Sequence, residues 1–270
     1  PMSVGPTAKE AAKDPAAGER IAKLIARAGL CSRRDAEAWI GARRVAVDGM
    51  VLDSPAIRVR PGQRITVDGK PLPAVEATRL FRYHKPKGVV TAARDPEGRA
   101  TIYDTLPEGL PRLMPVGRLD IASEGLLLLT NDGALKRRLE LPATGWLRRY
   151  RVRGFGTVDD RHLRALAQGI TVDGIAYGPI EAQVDRTQGD NTWLTVALRE
   201  GKNREVRRVL ESFGFKVNRL IRVAYGPFQL GLLPKRSVEE VLGKVLREQV
   251  GSSVEKPVRA RSAPRGVGRG

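Results

Sequence analysis

Apolar residues recur with helical spacing near the start of the chain. One set falls at i, i+3, i+4 and i+7, which predicts an amphipathic helix: Ile21, Leu24, Ile25 and Ala28. Gly29 can end this helix in a left-handed cap. A second helix is predicted to begin at Ser32, because Asp35 follows at the spacing of a capping box.

Short alternating segments follow the two predicted helices. Residues 45–51 alternate around Asp48-Gly49, and residues 65–69 end in Asp68-Gly69, so each segment predicts a strand and a tight turn. Helices and strands together predict a small first domain over residues 19–75. Residues 1–18 have no periodicity and are expected to be disordered.

A longer domain is predicted over residues 78–243. Leu126 to Leu129 form an apolar run typical of a short buried strand, and Asn131-Asp132-Gly133 after it indicates a hairpin turn. Another apolar stripe predicts a helix that ends at Gly214: Val206, Val209, Leu210 and Phe213. Strands and helices mix without a regular βαβ order, which favours an α+β domain on a mixed, mainly antiparallel sheet.

Charge narrows the choice of partner. The 270 residues carry a formal net charge of +18, and the isoelectric point is about 10.7. A surplus of this size attracts a polyanion, and it favours nucleic acid over a small acidic metabolite. Residues 251–270 are expected to form a basic disordered tail, which either adds phosphate contacts or is an inert solvated end.

Several classes of protein are not expected from the composition. A single cysteine, Cys31, excludes an internal disulfide bond. His84 and His162 have no Cys/His cluster around them, so no metal site is predicted. No apolar run approaches the ~20 residues of a membrane span, and no signal peptide is recognisable. The sequence therefore predicts a cytoplasmic protein that does not enter membranes.

One carboxylate has a setting that suggests chemistry. Asp120 follows Arg118 in a segment bounded by Gly117 and Gly125, just ahead of the predicted buried strand. A lone carboxylate there can act as a nucleophile or a base. It cannot supply the two carboxylates that a glycosidase needs on either side of the scissile bond. A single-carboxylate reaction on a basic protein is therefore expected.

A group of cations is predicted at one end of the helix that contains Val206 and Val209. Three arginines and a glutamate share the i, i+3, i+4, i+7 spacing, opposite the apolar stripe of the same helix: Arg204, Arg207, Arg208 and Glu211. Taken alone, this pattern is typical of a solvated helix face.

Five segments carry a resemblance to known families. Residues 117–133, which read GRLDIASEGLLLLTNDG, resemble without a gap the signature of pseudouridine synthases of the small-subunit (RsuA) type. Residues 200–208 resemble a later conserved element of that family, and residues 85–88 resemble its K-P-x-G element. Residues 26–37 and 44–49 resemble the RNA-binding domain named after ribosomal protein S-four.

The resemblance implies isomerisation of uridine to pseudouridine in RNA, with no cofactor. It implies that Asp120 is the essential carboxylate, that Tyr150 stacks on the target base and is placed for proton transfer, and that Arg207 pairs with Asp120. Asp120 would either attack the anomeric carbon or abstract the 2′ proton to form a glycal, and the sequence does not decide between these routes. Arg118 would fill the space of the flipped nucleotide, and Lys85 would contact phosphate. Further RNA contacts are expected from Lys202, Asn203, Arg204, Arg208, Arg33, Arg34, Arg43 and Arg44.

The RNA itself is less sharply defined. Residues 94–104 and 218–226 are most similar to members of the family that act on large-subunit (23S) ribosomal RNA, but small-subunit and dual-specificity members share the architecture. The expected partner is ribosomal RNA, free or in a pre-ribosomal particle, bound by a monomer. The rival class is a non-catalytic RNA-binding or ribosome-assembly protein, which would have no use for Asp120, Tyr150 and Arg207 together.

Overall fold

The structure, a computed structural model, describes residues 18–251. Packing divides the described residues into two compact units, with the boundary between Ala77 and Thr78. Except for Gly18 and Gly251, the segments predicted to be disordered lie outside the described residues.

The first unit combines two short helices with six short strands. In chain order these are β1 (Glu19–Arg20), α1 (Ile21–Arg27), α2 (Arg33–Gly41), β2 (Val45–Val47), β3 (Met50–Val51), β4 (Arg58–Val59), β5 (Ile65–Val67) and β6 (Lys70–Pro71). Strands β3-β2-β5-β6 form an antiparallel sheet, and β1 pairs with β4. Apolar residues of both helices and of β2, β4 and β5 share one core.

Local signals decide where these elements begin and turn. The predicted capping box is confirmed: the Ser32 hydroxyl accepts from the Asp35 backbone N–H, and the Asp35 carboxylate accepts from the Ser32 N–H. The two predicted tight turns are confirmed as well. Asp48 and Asp68 both have φ of 50°, and each is followed by a glycine with positive φ, as a two-residue hairpin turn requires.

The second unit contains the remaining elements. Its first half comprises β7 (Leu80–Lys85), a 3₁₀ turn (Ile102–Thr105), β8 (Met114–Val116), β9 (Glu124–Thr130), α3 (Gly133–Glu140), a 3₁₀ turn (Pro142–Thr144) and β10 (Arg148–Phe155). Its second half comprises α4 (Asp160–Gln168), β11 (Ile170–Val172), β12 (Ile175–Tyr177), β13 (Ile180–Gln188), β14 (Asn191–Leu198), α5 (Glu205–Glu211), β15 (Lys216–Tyr225), β16 (Phe228–Gln229), β17 (Val238–Glu240) and α6 (Gly243–Val250). No helix in residues 18–251 is both long and apolar enough to cross a membrane.

Nine strands of this unit form one sheet in the order β13-β14-β10-β15-β9-β7-β17, with β8 paired to β9 and β16 paired to β15. The β9–β15 pair is parallel, and all the other pairs are antiparallel. The predicted α+β class, with a mixed and mainly antiparallel sheet, is therefore confirmed.

Strand β9 lies inside the sheet and is buried along its whole length, as the apolar run predicted. Leu127 and Leu129 face one core, whereas Leu126 and Leu128 face another that includes residues of α3 and α6. Helices α4 and α5 pack with β10, β13 and β14 in a third core. The loop that carries Asp120 therefore leads directly into a fully buried strand inside the sheet.

The hairpin predicted at Asn131-Asp132-Gly133 is wrong. Asp132 is instead the N-cap of α3, and its carboxylate accepts from the backbone N–H groups of Ala134 and Leu135 at 2.7 and 3.3 Å. An Asp before Gly suits both a hairpin turn and a helix cap. The buried residues of the following segment, Leu135 and Leu139, decide in favour of the helix.

Candidate active site

A cavity of about 290 Å³ lies in the second unit, where the loop before β9 meets β10, β15 and the start of α5. Its walls include two of the three predicted catalytic residues and five cations: Asp120, Tyr150, Arg118, Arg148, Lys202, Arg204 and Arg222. Asp120 and Tyr150 are half-buried, so both combine support from the protein with access from the cavity.

The Asp120 loop, residues 117–123, is held by its backbone. All six carbonyls from residue 118 to residue 123 accept hydrogen bonds: from Arg222, Thr91, Lys85, the Gly88 N–H, Arg207 and again Lys85, with the Ser123 N–H also donating to the Asp120 carbonyl. The Asp120 side chain accepts no hydrogen bond from any described residue. The loop thus fixes the position of the carboxylate while its oxygens stay available for a reaction, which is how catalytic groups are preorganised.

The structure corrects the expected role of Lys85. Its side chain is fully buried, and its Nζ donates to the carbonyls of Pro86, Asp120 and Ser123 at 3.1, 3.1 and 2.9 Å. Burial lowers the pKa of Lys85 to about 8, although the Asp120 and Glu124 carboxylates act in the opposite direction. An ammonium enclosed in this way cannot reach a phosphate, so Lys85 is a positioning residue of the Asp120 loop.

Arg207 also differs from the sequence-based expectation of a solvated helix face. It is only 5% exposed, with its guanidinium donating to the Val217 carbonyl at 3.1 Å and to the Ala122 carbonyl at 3.0 Å. The expected ion pair with Asp120 is not formed among residues 18–251. Burial lowers the pKa of Arg207, and Asp120 is one of the charges that favour its cation. Arg207 therefore acts on Asp120 through the backbone of the loop and through its field.

Arg222 was not identified from the sequence, although it holds the same loop. Its Nε donates to the Leu126 carbonyl at 2.8 Å, and its Nη1 lies 3.4 Å from the Arg118 carbonyl. Gly125 permits this close approach, because a Cβ there would lie 2.3 Å from the Arg222 carbonyl oxygen and its φ is +110°. The sequence did contain one indication of this role, because Arg222 interrupts the otherwise apolar segment 220–225.

The other predicted RNA contacts of this unit differ in their surroundings. Arg118, Asn203 and Arg204 are exposed and line the cavity. The Lys202 ammonium donates to the Glu200 carboxylate at 2.9 Å and to the Ala176 carbonyl at 2.7 Å. Arg208 is exposed on α5 but is not part of the cavity wall.

In the first unit, Arg33, Arg34 and Arg43 are exposed. Arg44 is engaged within the protein: its guanidinium makes two hydrogen bonds to Asp68, at 2.9 and 2.5 Å, and lies 4.7 Å from the centroid of the Trp39 ring. Of the four arginines, Arg44 is thus already committed to a structural contact.

A buried carboxyl group, on Glu205, lines the same cavity and was also missed. It is 4% exposed, its Oε2 accepts from the Lys202 backbone N–H at 2.8 Å, and its Oε1 has no partner among the described residues. Burial raises the pKa of Glu205 to about 7. Among residues 18–251 no group of three or more His, Cys, Asp or Glu could hold a metal ion.

Glu205→Gln is expected to flatten the pH dependence of stability. Because the folded-state pKa of about 7 lies above the usual 4.5, the wild type is most stable below pH 4.5 with respect to this group and loses that stability as pH rises through 7. Glutamine keeps the hydrogen bond without the charge, so at pH 8 the variant should gain on the order of 1–3 kcal/mol. Denaturant unfolding at pH 5.5 and pH 8 measures this. The exposed Glu211 on the same helix is the control, and an equal gain for Glu211→Gln would contradict the assignment.

Lys85→Met is expected to lower turnover at least tenfold, about 1.4 kcal/mol, because the Asp120 loop loses the two hydrogen bonds that Lys85 donates to the Asp120 and Ser123 carbonyls. The salt dependence of RNA binding should not change, since the ammonium reaches no phosphate. Single-turnover rates and binding between 50 and 200 mM salt measure the two effects. Lys87→Met is the matched control, because Lys87 is exposed and lies two residues later. A shallower salt dependence for Lys85→Met would instead support the phosphate contact expected from the sequence.

Comparisons with known proteins agree on one family. Residues 79–212 match the family described as RNA pseudouridylate synthase, and residues 19–65 match the S4 domain. An uncharacterized RNA pseudouridine synthase of Rickettsia felis is 44% identical over 85% of this chain and 100% of its own length. Ribosomal large subunit pseudouridine synthase B of Haemophilus influenzae is 42% identical over 93% of this chain and 73% of its own. A crystal structure of pseudouridylate synthase superposes with a TM-score of 0.61 at 25% identity, covering 86% of this chain and all of that one.

The chain belongs to the RNA pseudouridine synthase family. It is an isomerase that acts on uridine in RNA, with an S4 domain preceding the synthase domain.

Proposed function

We propose that this enzyme converts one specific uridine of large-subunit ribosomal RNA to pseudouridine. The proposal rests on the relatives named ribosomal large subunit pseudouridine synthase B, which are 42% identical. The observation that carries the catalytic assignment is Asp120 itself: a half-buried carboxylate at the cavity wall, on a loop whose six successive carbonyls are held.

The proposed reaction breaks the bond between uracil N1 and the anomeric carbon. The uracil turns, and its C5 bonds to that carbon, after which C5 loses its proton and N1 gains one. Nothing is oxidised or transferred to another molecule, so the reaction balances without a cofactor. Asp120 serves as nucleophile at the anomeric carbon or as base at the 2′ position.

Tyr150 is proposed to stack on the uracil and to be placed for proton transfer. It is half-buried at the start of β10 and lines the cavity together with Asp120. Chemistry on a base in structured RNA requires that base to leave its stack. The exposed Arg118 next to Asp120 is proposed to occupy the space that the nucleotide leaves. Arg207 and Lys85 position the loop without touching the substrate.

RNA is proposed to be held by exposed cations of both units: Arg118, Arg204, Arg33, Arg34 and Arg43. Asn203 at the cavity wall is a further candidate contact. We propose that a monomer acts in the cytoplasm, on ribosomal RNA that is free or in a pre-ribosomal particle. The charge of +18 supports a polyanionic partner.

Mapping pseudouridines in ribosomal RNA from cells with and without the gene tests the proposal. One large-subunit position should lose its modification, and expression of the wild type, but not of Asp120→Asn, should restore it. Loss at a small-subunit or transfer-RNA position would overturn the assignment to the large subunit. An unchanged map combined with tight RNA binding would favour a binding or assembly role.

A further inference from the structure

The sheet of the second unit has a basic surface on the side opposite the cavity. Along β10, Tyr150 and Val152 point to the cavity side, where they join the apolar cores. Arg151 and Arg153, between and after them, therefore point to the opposite side. Helices α3 and α6 pack over β7 and β9 on that side. Over β10, β13 and β14 the same side is open, since several of its side chains are exposed there.

We name this open region the basic face and define it by seven residues: Arg149, Arg151, Arg153, Phe155, Arg186, Trp193 and Lys216. Ladder partners place them together, because residues directly opposite each other in a sheet share a side. Trp193 is opposite both Arg153 and Arg186, and Phe155 is opposite Lys216. Phe155 is 51% exposed, so its ring is open to solvent beside these cations.

Trp193 organises three of the arginines. The guanidinium carbons of Arg151, Arg153 and Arg186 lie 5.3, 5.8 and 5.9 Å from the centroid of its ring. Each such contact is worth about 0.5–1 kcal/mol at an exposed site. The indole thus gathers three like charges on one patch and restricts their motion, which lowers the entropy lost when a ligand binds them.

The charges of the basic face are only partly balanced by the protein. Over β10, β13 and β14 this side holds two carboxylates: Asp185, whose Oδ2 is 3.2 Å from Arg151 Nε and which accepts from the Thr195 hydroxyl, and the exposed Glu181. Against them stand five cations. The Nε of Arg153 is buried without a partner among residues 18–251. Clustered cations repel one another, and a polyanion relieves that repulsion.

We propose that the basic face binds the sugar–phosphate backbone of RNA that flanks the segment in the cavity. Arginine guanidiniums suit phosphate oxygens, and an exposed phenylalanine can stack on an unpaired base. This proposal rests on the proposed function only for the identity of the ligand, which is RNA. Because the basic face and the cavity lie on opposite sides of the sheet, an RNA bound to both would pass around an edge of the sheet. A short hairpin in the cavity is therefore expected not to reach the basic face.

Length dependence therefore gives the test. Arg149, Arg186 and Lys216 are exchanged together for glutamine, which leaves Trp193, Arg151 and Arg153 in place. The control exchanges three exposed cations elsewhere in the second unit: Arg161, Arg164 and Lys244. Two RNAs are used: a short hairpin, and the same hairpin with single-stranded tails of about 15 nucleotides on both sides. The affinity of the wild type and of both variants for each RNA is measured between 50 and 200 mM salt. Thermal melting verifies that both variants fold.

For the basic-face variant, the dependence of log K on log salt should become shallower by about 2 with the tailed RNA, because each lost phosphate contact removes about 0.7–0.9. Hairpin binding and isomerisation of the hairpin should stay at wild-type values. An unchanged slope with the tailed RNA would overturn the proposal, and so would equal changes with both RNAs or in the control. An unchanged slope would instead favour a protein as the partner of the basic face. Isomerisation is measured in a separate assay. If the wild type did not isomerise uridine but its salt dependence with the tailed RNA still exceeded that of the basic-face variant, only the proposed function would be rejected.

Discussion

Asp120→Asn should abolish isomerisation while RNA affinity stays within about twofold of the wild type. Asparagine keeps the size of the side chain and removes the negative charge that attacks or deprotonates the sugar. The loop should not move, because it is held by hydrogen bonds donated to its six backbone carbonyls, and the substitution changes none of them. Binding surfaces and the cavity should therefore be unchanged.

Tritium release from RNA labelled at C5 of uridine measures this, together with filter binding of the same RNA. Asp190→Asn is the matched control, since Asp190 is an exposed carboxylate at the β13–β14 turn. A rate for Asp120→Asn within about tenfold of the wild type, or ~1.4 kcal/mol, would remove Asp120 from the chemistry. A parallel loss of affinity would show that the carboxylate shapes the loop after all.

Local signals in the sequence predicted the elements that local physics controls. The helical spacing around Ile21, the capping box at Ser32 and the Asp48-Gly49 turn involve residues that touch near neighbours in the chain. The apolar run Leu126 to Leu129 is buried on both sides, and it predicted a strand inside the sheet. These features depend on few other parts of the fold, so one segment is enough to predict them.

Buried cations could not be predicted in this way. Periodicity placed Arg207 on a solvated face, and Lys85 resembled a phosphate contact, because a charged side chain is normally found at the surface. Both are buried since carbonyls of the Asp120 loop, 35 or more residues away in sequence, accept their hydrogen bonds. A pattern within one segment contains no information about acceptors supplied by another. Arg222 was missed for the same reason.

The resemblance supplied what periodicity could not, namely which residues belong to one site. It singled out Asp120 and Tyr150, which line one cavity, together with Arg207, which is joined by a hydrogen bond to the Asp120 loop. It did not give the form of that link, which the structure places in the backbone of the loop. The distinction matters because a direct ion pair and a positioned loop predict different behaviour for conservative substitutions of Arg207.

Arg207→Ala should lower turnover at least 100-fold, about 2.7 kcal/mol, and reduce stability. The Ala122 and Val217 carbonyls would lose their donors, and an unpaired buried polar group costs about 1–3 kcal/mol. Arg208→Ala is the control on the next position of α5. Its side chain is exposed, so turnover at saturating RNA should remain, and only the salt dependence of binding should become shallower, by at most about 1.

Arg207→Lys separates positioning from simple loss of the fold. A lysine keeps the charge but cannot reach the Ala122 and Val217 carbonyls with two rigid donors, so it should recover stability more fully than turnover. Thermal melting and single-turnover rates at saturating RNA measure the two quantities for all three variants. If turnover followed stability in strict proportion, Arg207 would be structural only. If Arg207 and Arg208 variants changed RNA affinity equally and turnover not at all, both would be RNA contacts, and the backbone link to Asp120 would have no part in catalysis.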